Sequence, residues 1–302
     1  MTAIRITRAG PLCTVQDVGR PGMLQHGVSA SGPMDAAAFA RAGAWMGEAG
    51  STGVEFTASG ISLAVEGGTI GLGVDGGDFA LSVNGADRSW PARVMLRERD
   101  TVEIRPGAWG NYGFLRFDRE LDLPMVMGSR ATNSVARLGG LEGRALRAGD
   151  VLSFTGDAIR SGMGGHPRAV PQPAGPIRVI WGLHADQFTP RARERFVAEG
   201  FAVSSRLDRM GARLADPAGV FAGLPMLSLV SDAIVPGDIQ ILGDGTPIVL
   251  LRDHQPTGGY PRVATVISAD LDRFAQMRPG AEVRFEPVTL ARAHAILSGS
   301  TP

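Results

Sequence analysis

Ile61-Ser62-Leu63-Ala64-Val65-Glu66-Gly67-Gly68 runs into Thr69-Ile70-Gly71-Leu72-Gly73-Val74-Asp75-Gly76-Gly77-Asp78, and that into Phe79-Ala80-Leu81-Ser82-Val83-Asn84-Gly85. Apolar residues alternate with small or polar ones in the first and last pieces, the period of a half-buried strand. Gly-Gly, Asp-Gly and Asn-Gly pairs punctuate the runs, and hairpin turns favour such residues because they tolerate positive φ. The stretch predicts a β-meander turning at 66–68, 75–77 and 84–85. The Gly71-Leu72-Gly73 piece sits inside it with no helix following, so it is not a dinucleotide fingerprint. Outward from here, residues 3–20 read as a strand entering a loop, and 94–96, 101–104 and 113–117 continue the strand pattern. A helix is expected over 36–46, with Asp35 as its N-cap.

The second half has the same character. Strands are expected at 177–181, 201–205, 239–242, 248–251, 263–267 and 282–285. Thr189-Pro190 opens a helix, Thr as cap and Pro in the first position, and Gly200 closes it. A last helix spans about 290–297. Between 161 and 176 the chain is rich in Gly and Pro, the best candidate for a boundary. The expected organisation is an N-terminal β domain over 1–165, a linker over 166–175, and a C-terminal β domain over 176–302. Glycine supports this: 42 of 302 residues is about twice the usual share of roughly 7%. With no Gly-X-Y period, the glycines mark turns.

Thirty basic residues balance thirty acidic ones. That removes the simplest case for nucleic acid or for an anionic membrane as partner. Cys13 is the single cysteine, so no intramolecular disulfide forms and a reducing compartment fits. It reads as a small half-buried residue, because no nearby base would activate it. The five histidines are scattered without ligand spacing, so no metal site is expected. No basic-then-apolar leader and no run of membrane-spanning length is seen, and the expected location is the cytoplasm. Every basic residue is arginine. Without lysine, neither a Schiff base nor lysine-attached biotin can form on this chain.

Four motifs carry chemistry. The first is Thr14-Val15-Gln16-Asp17-Val18-Gly19-Arg20-Pro21-Gly22, with Gly27-Val28 and Ser31-Gly32-Pro33-Met34-Asp35. The second is Gly128-Ser129-Arg130-Ala131-Thr132, with Gly139-Gly140, Gly143-Arg144 and Gly149-Asp150. The third is Asp208-Arg209-Met210-Gly211-Ala212-Arg213-Leu214. The fourth is Arg252-Asp253-His254-Gln255-Pro256-Thr257-Gly258-Gly259-Tyr260-Pro261, entered through Pro236–Ile248 and left through Ala264–Leu271. Arg20, Arg130, Arg209 and Arg213 offer planar donors for carboxylate or phosphate; the plain alternative is an ion pair, such as Arg20 with Asp17 or Asp35. Gln16 and Asp17 can hydrogen-bond an amide or ureide, or simply shape the turn before Gly19. Gln255, Thr257 and Tyr260 offer neutral donors and acceptors beside Gly258-Gly259, whose backbone can reach conformations closed to other residues and expose N–H groups to an anion. The alternative there is a tight turn between strands.

In this order and over nearly the whole chain, the four motifs closely resemble the KipA-like family. The family is also called the C subunit of bacterial 5-oxoprolinase, subunit 2 of allophanate hydrolase, or the biotin-dependent carboxyltransferase family. His254 and Pro256 depart from the residues usual at their positions, as does Asp118-Arg119-Glu120. The resemblance implies two cyclophilin-like antiparallel β-barrel domains with a few short helices. It implies a hydrolase component that, with a KipI-like B subunit and a LamB/YcsF-like A subunit, opens 5-oxo-L-proline to L-glutamate using ATP, with Mg2+ arriving on the nucleotide. Under that reading Gln16, Asp17, Arg130, Gln255 and Tyr260 are the catalytic candidates. Arg20, Thr132, Arg209, Thr257, Gly258 and Gly259 bind the substrate or an anion, and Arg130 shares a pocket with the Gln255–Tyr260 loop. The alternatives are a biotin-dependent carboxyltransferase like the urea carboxylase domain, and a non-catalytic antagonist of a KipI-type kinase inhibitor.

Overall fold

The computed structural model describes residues 2–46, 50–156, 167–168, 170–223 and 229–299. Gly47 at the end of the first expected helix, and residues 161–166 and 169 of the Gly/Pro stretch, lie outside the described residues. The chain forms two compact units. One comprises Met1–Gly22 with Ala30–Gln172, the other Met23–Ser29 with Pro173–Pro302.

In the first unit, a seven-stranded sheet has the order Glu120–Leu121, Val151–Thr155, Ala3–Ala9, Ile61–Glu66, Thr101–Pro106, Phe79–Val83, Ala86–Arg88. A five-stranded sheet has the order Thr14–Gln16, Gly53–Thr57, Tyr112–Phe117, Thr69–Gly76, Ala92–Arg97. Both contribute to one core. Ile4, Leu63, Leu81 and Ile104 come from the first, and Val54, Leu72, Leu115 and Phe117 from the second.

Of the three expected turns, only Asn84-Gly85 joins neighbouring strands, pairing Phe79–Val83 with Ala86–Arg88. At 66–68 and 75–77 the chain instead crosses between the sheets, because Thr69–Gly76 belongs to the five-stranded one. The reason is burial. Every residue of Thr69–Gly76 after Thr69 is buried, so this strand is covered on both faces and has no wet side. The Ala36–Ala44 helix provides one cover. A Cβ on Gly73 would lie 2.1 Å from the Ala42 carbonyl oxygen, and one on Gly71 2.3 Å from the Met46 methyl. These two glycines let the helix and the Met46 side chain come close to the sheet. Asp35 caps the helix by accepting from Ala38 N at 2.8 Å. Phe39 meets Phe114 edge-on at 5.8 Å, and the Asp75 carboxylate accepts from Arg41 and Trp45.

The second unit is built on an eight-stranded sheet, ordered Glu282–Val283, Phe201–Leu207, Gly211–Ala215, Pro247–Leu250, Asp238–Ile241, Arg262–Val266, Ile177–Trp181, Phe285–Pro287. Its two edge strands are separated in the chain by Arg284 alone. The same short segment therefore pairs with Phe201–Leu207 on one side and Ile177–Trp181 on the other, which nearly closes the sheet into a barrel and removes exposed edges. The Ile177–Trp181 with Phe285–Pro287 pairing is parallel, the one departure from the expected antiparallel pattern among the described pairs. Phe196, Phe201, Phe221 and Phe285 fill the interior, with Phe196 stacked on Phe285 at 4.8 Å.

Thr189 caps the Pro190–Ala198 helix by accepting from Ala192 N, and the last helix is Leu290–Leu297. A further helix, Ser268–Ala275, follows a strand where the sequence reading places none. No capping side chain, glycine or proline announces its start. Buried Asp270 anchors it instead, through a bidentate pair with Arg178.

Candidate functional site

The opening motif and the Ser129–Thr132 segment form one cluster in the first unit. The Thr14–Gln16 strand pairs with Gly53–Thr57. Thr132 N donates to the Val15 carbonyl at 2.9 Å. At the end of the strand, Asp17 is 5% exposed. One of its carboxylate oxygens accepts from Gly19 N at 2.8 Å and Ser129 Oγ at 2.6 Å, and the other from Arg130 N at 2.6 Å. Gln16 Nε2 donates to Thr14 Oγ1 and to the Thr132 carbonyl, and its Oε1 accepts from Gly32 N. Both side chains thus bond to the fold itself and hold two distant segments in register.

Arg20 is buried. It donates through Nη2 to the Ala131 carbonyl at 2.5 Å and through Nε to that of Val126 at 3.4 Å. These acceptors are backbone carbonyls. Gly139 is required beside this pair, because a Cβ there would sit 2.2 Å from the Ala131 oxygen. Arg130 is half-buried and bonds through Nε to the Leu123 carbonyl at 2.7 Å. Its terminal amino groups make no hydrogen bond among the described residues. The Thr132 hydroxyl is buried without a partner.

In the second unit, two buried ion pairs fasten the ends of the His254–Pro261 loop. Arg209 holds Asp253 in a bidentate pair at 2.8 and 3.1 Å, and both are almost fully buried. Arg262 donates to Asp232 at 2.5 Å, to Asp238 at 3.3 Å and to the Ala233 carbonyl at 2.8 Å. Thr265 Oγ1 donates to the other oxygen of Asp238. Between the anchors, Thr257–Gly258 pairs with Asp232–Ala233 as a two-stranded ladder. Thr257 and Tyr260 are exposed and Gln255 is half-buried, so the loop presents a hydroxyl and a phenol outward.

Neither Gly258 nor Gly259 takes a positive φ. Close packing explains them instead of the expected conformational freedom. A Cβ on Gly258 would lie 2.6 Å from Gln240 Nε2, and one on Gly259 2.8 Å from the Leu229 carbonyl. His254 is 3% exposed, with Nδ1 2.6 Å from the Gln255 carbonyl oxygen. Burial pushes its imidazolium pKa down, against a smaller upward pull from that carbonyl.

The sequence reading missed Gln240, Arg262, Asp232 and Asp238. Asp238–Ile241 is buried at all four positions, so the structure places a carboxylate and a carboxamide inside, which the sequence pattern did not announce. Among the described residues, no group of three or more His, Cys, Asp or Glu is placed to hold a metal ion.

The site residues fall in both units: Gln16, Asp17, Arg20, Arg130 and Thr132 in the first, Arg209, Gln255, Thr257, Gly258, Gly259 and Tyr260 in the second. Two β-sheet units, the second nearly closed into a barrel, carrying these motifs define a carboxyltransferase-type domain pair. The chain belongs to the family described as carboxyltransferase domain, subdomain A and B, whose profile matches residues 26–287.

Among its relatives, the 5-oxoprolinase C subunit of Escherichia coli (strain K12) is 32% identical over 294 residues, covering 96% of this chain and 93% of that protein. The solved structure of TTHA0988 superimposes with a TM-score of 0.82 at 28% identity, covering 95% of this chain and 55% of that one. K. lactis urea amidolyase superimposes with a TM-score of 0.86 at 26% identity, covering 98% of this chain and 19% of that one. This chain therefore corresponds to about half of the first solved chain and a fifth of the second.

Proposed function

We propose that this chain is the C subunit of an ATP-dependent 5-oxoprolinase. It would act with a KipI-like B subunit and a LamB/YcsF-like A subunit in the cytoplasm to hydrolyse 5-oxo-L-proline to L-glutamate. The observation that carries this is the end-to-end match to the E. coli 5-oxoprolinase C subunit, which leaves little of either protein uncovered. The chemistry suits the loop. A lactam carbonyl is unreactive and gains from neutral donors as charge develops on its oxygen. Thr257, Tyr260 and the loop backbone provide such donors.

The nucleotide's triphosphate does not fit this chain's own arginines. Arg20 donates to backbone carbonyls and Arg209 to Asp253, which leaves Arg130 in the first unit and Arg213 in the second as the predicted arginines whose terminal donors make no hydrogen bond among the described residues. We therefore assign nucleotide and Mg2+ binding to the partner subunits, with this chain holding the cyclic amide. The test is glutamate release from 5-oxoproline and ATP by the co-purified subunits, with and without this chain. Release that does not depend on this chain overturns the reading.

One observation favours a second reading, carboxyl transfer: the superposition on K. lactis urea amidolyase over 98% of this chain. The chain has no lysine to carry biotin, so carboxybiotin would arrive on a separate carrier. Carboxylation of a urea or amide by this chain with a biotinylated carrier, in the absence of oxoprolinase activity, would select it.

A further inference from the structure

Gln240 lies opposite Arg262 in the ladder of the eight-stranded sheet. Its side chain is 1% exposed, and its Nε2 is buried with no hydrogen-bond partner. An unbonded buried donor is costly, and proteins retain few of them without a reason. No hydrogen bond joins it to the nearby acids. Asp238 accepts from Thr265, Arg262 and Val235 N, and Asp232 accepts from Arg262 and Ala233 N. What covers the amide is Gly258, which lacks the Cβ that would strike Nε2. The cover is thin, because Thr257–Gly258 and Asp232–Ala233 pair over only two residues each.

We propose that Gln240 is a substrate-binding residue whose carboxamide, beneath Gly258, pairs with the cis-amide edge of a small cyclic amide. The ring of a lactam forces its amide cis, which places the carbonyl acceptor and the N–H donor side by side. A primary carboxamide offers the complementary donor and acceptor on one edge. A neutral pair of this kind selects for the amide itself, and a substrate lacking the N–H leaves a buried acceptor unpaired. The inference deepens the oxoprolinase reading and rests on it for the identity of the ring.

The test uses Gln240→Met, close to isosteric and apolar. Removing an unbonded buried donor should leave the thermal midpoint of the chain unchanged or raised. In the assembled subunits, KM for 5-oxoproline should rise about tenfold or more, and the preference for 5-oxoproline over N-methyl-5-oxoproline should vanish. A lowered midpoint with unchanged KM means the amide is bonded within the fold or to a buried water only, and overturns the proposal.

If Gln240→Met does not fold, the wild-type chain still decides. The side-chain amide resonance of Gln240 should shift on titration with 5-oxoproline in the assembly, and no shift at saturation overturns the proposal. Should the wild-type assembly prove unable to hydrolyse 5-oxoproline, the oxoprolinase reading fails by itself. Binding of 5-oxoproline, hydantoin and urea to wild type and variant then decides on Gln240: binding lost in the variant supports it, and no Gln240-dependent binding overturns it.

Discussion

Asp17 is tied into the architecture of the first unit. Its carboxylate receives three donors from Gly19, Ser129 and Arg130. Asp17→Ala strands all three in a buried place, and the chain should lose about 3 kcal/mol or more of unfolding free energy, read by urea denaturation. Arg130 is the contrasting case, because its terminal donors remain available. Arg130→Lys keeps the charge but loses the planar fork, and turnover in the assembly should fall about tenfold or more, or roughly 1.4 kcal/mol.

Cys13 is fully buried, and burial pushes its thiol pKa up to about 11 from 9.0. A raised pKa in an acid means that the unfolded state ionises first. The contribution of Cys13 to stability should therefore be constant below about pH 9 and fall as pH rises from there towards 11. The thiol should react with a disulfide reagent at pH 8 only once denaturant is added. The sequence reads it as half-buried with no base near it, and the structure buries it fully. The commitment of Gln16 and Asp17 was not legible in the sequence, since their partners lie on segments more than a hundred residues away for Ser129, Arg130 and Thr132.

At the scale of elements, local signals performed well where they were chemical. Thr189-Pro190 and Asp35 both cap helices as read, and Thr189→Ala should cost about 1 kcal/mol in denaturation experiments. They failed where pairing depends on partners. Asp-Gly and Gly-Gly pairs permit a turn, but only the neighbour that a strand finds decides whether that turn closes a hairpin or crosses between sheets. The covered strand Thr69–Gly76 makes the point. Gly73→Ala drives a methyl against the Ala42 carbonyl, 2.1 Å from the ideal Cβ. The expected loss is about 1–3 kcal/mol from overpacking, measured by the shift in denaturant midpoint. The Ser268–Ala275 helix escaped notice for the related reason that Arg178, ninety-two residues away, supplies its anchor.

On the scale of the whole molecule, the strongest expectation is assembly. Co-expressed with a KipI-like partner, the chain should elute as one complex in size-exclusion chromatography with light scattering, and two separate peaks at micromolar concentration would count against it. Alone, it should release no glutamate from 5-oxoproline. The sequence by itself determined the β-rich class, the family and the order of the motifs, because alternation, turn chemistry and motif spacing are written locally along the chain. Only the tertiary structure decided which partners the motif residues bond, why Gly258 and Gly259 are glycines, and that Gln240 carries a buried amide without a partner. These depend on which distant atoms come within hydrogen-bonding or contact distance. Short-range and directional interactions of that kind exist only once the sheets have assembled.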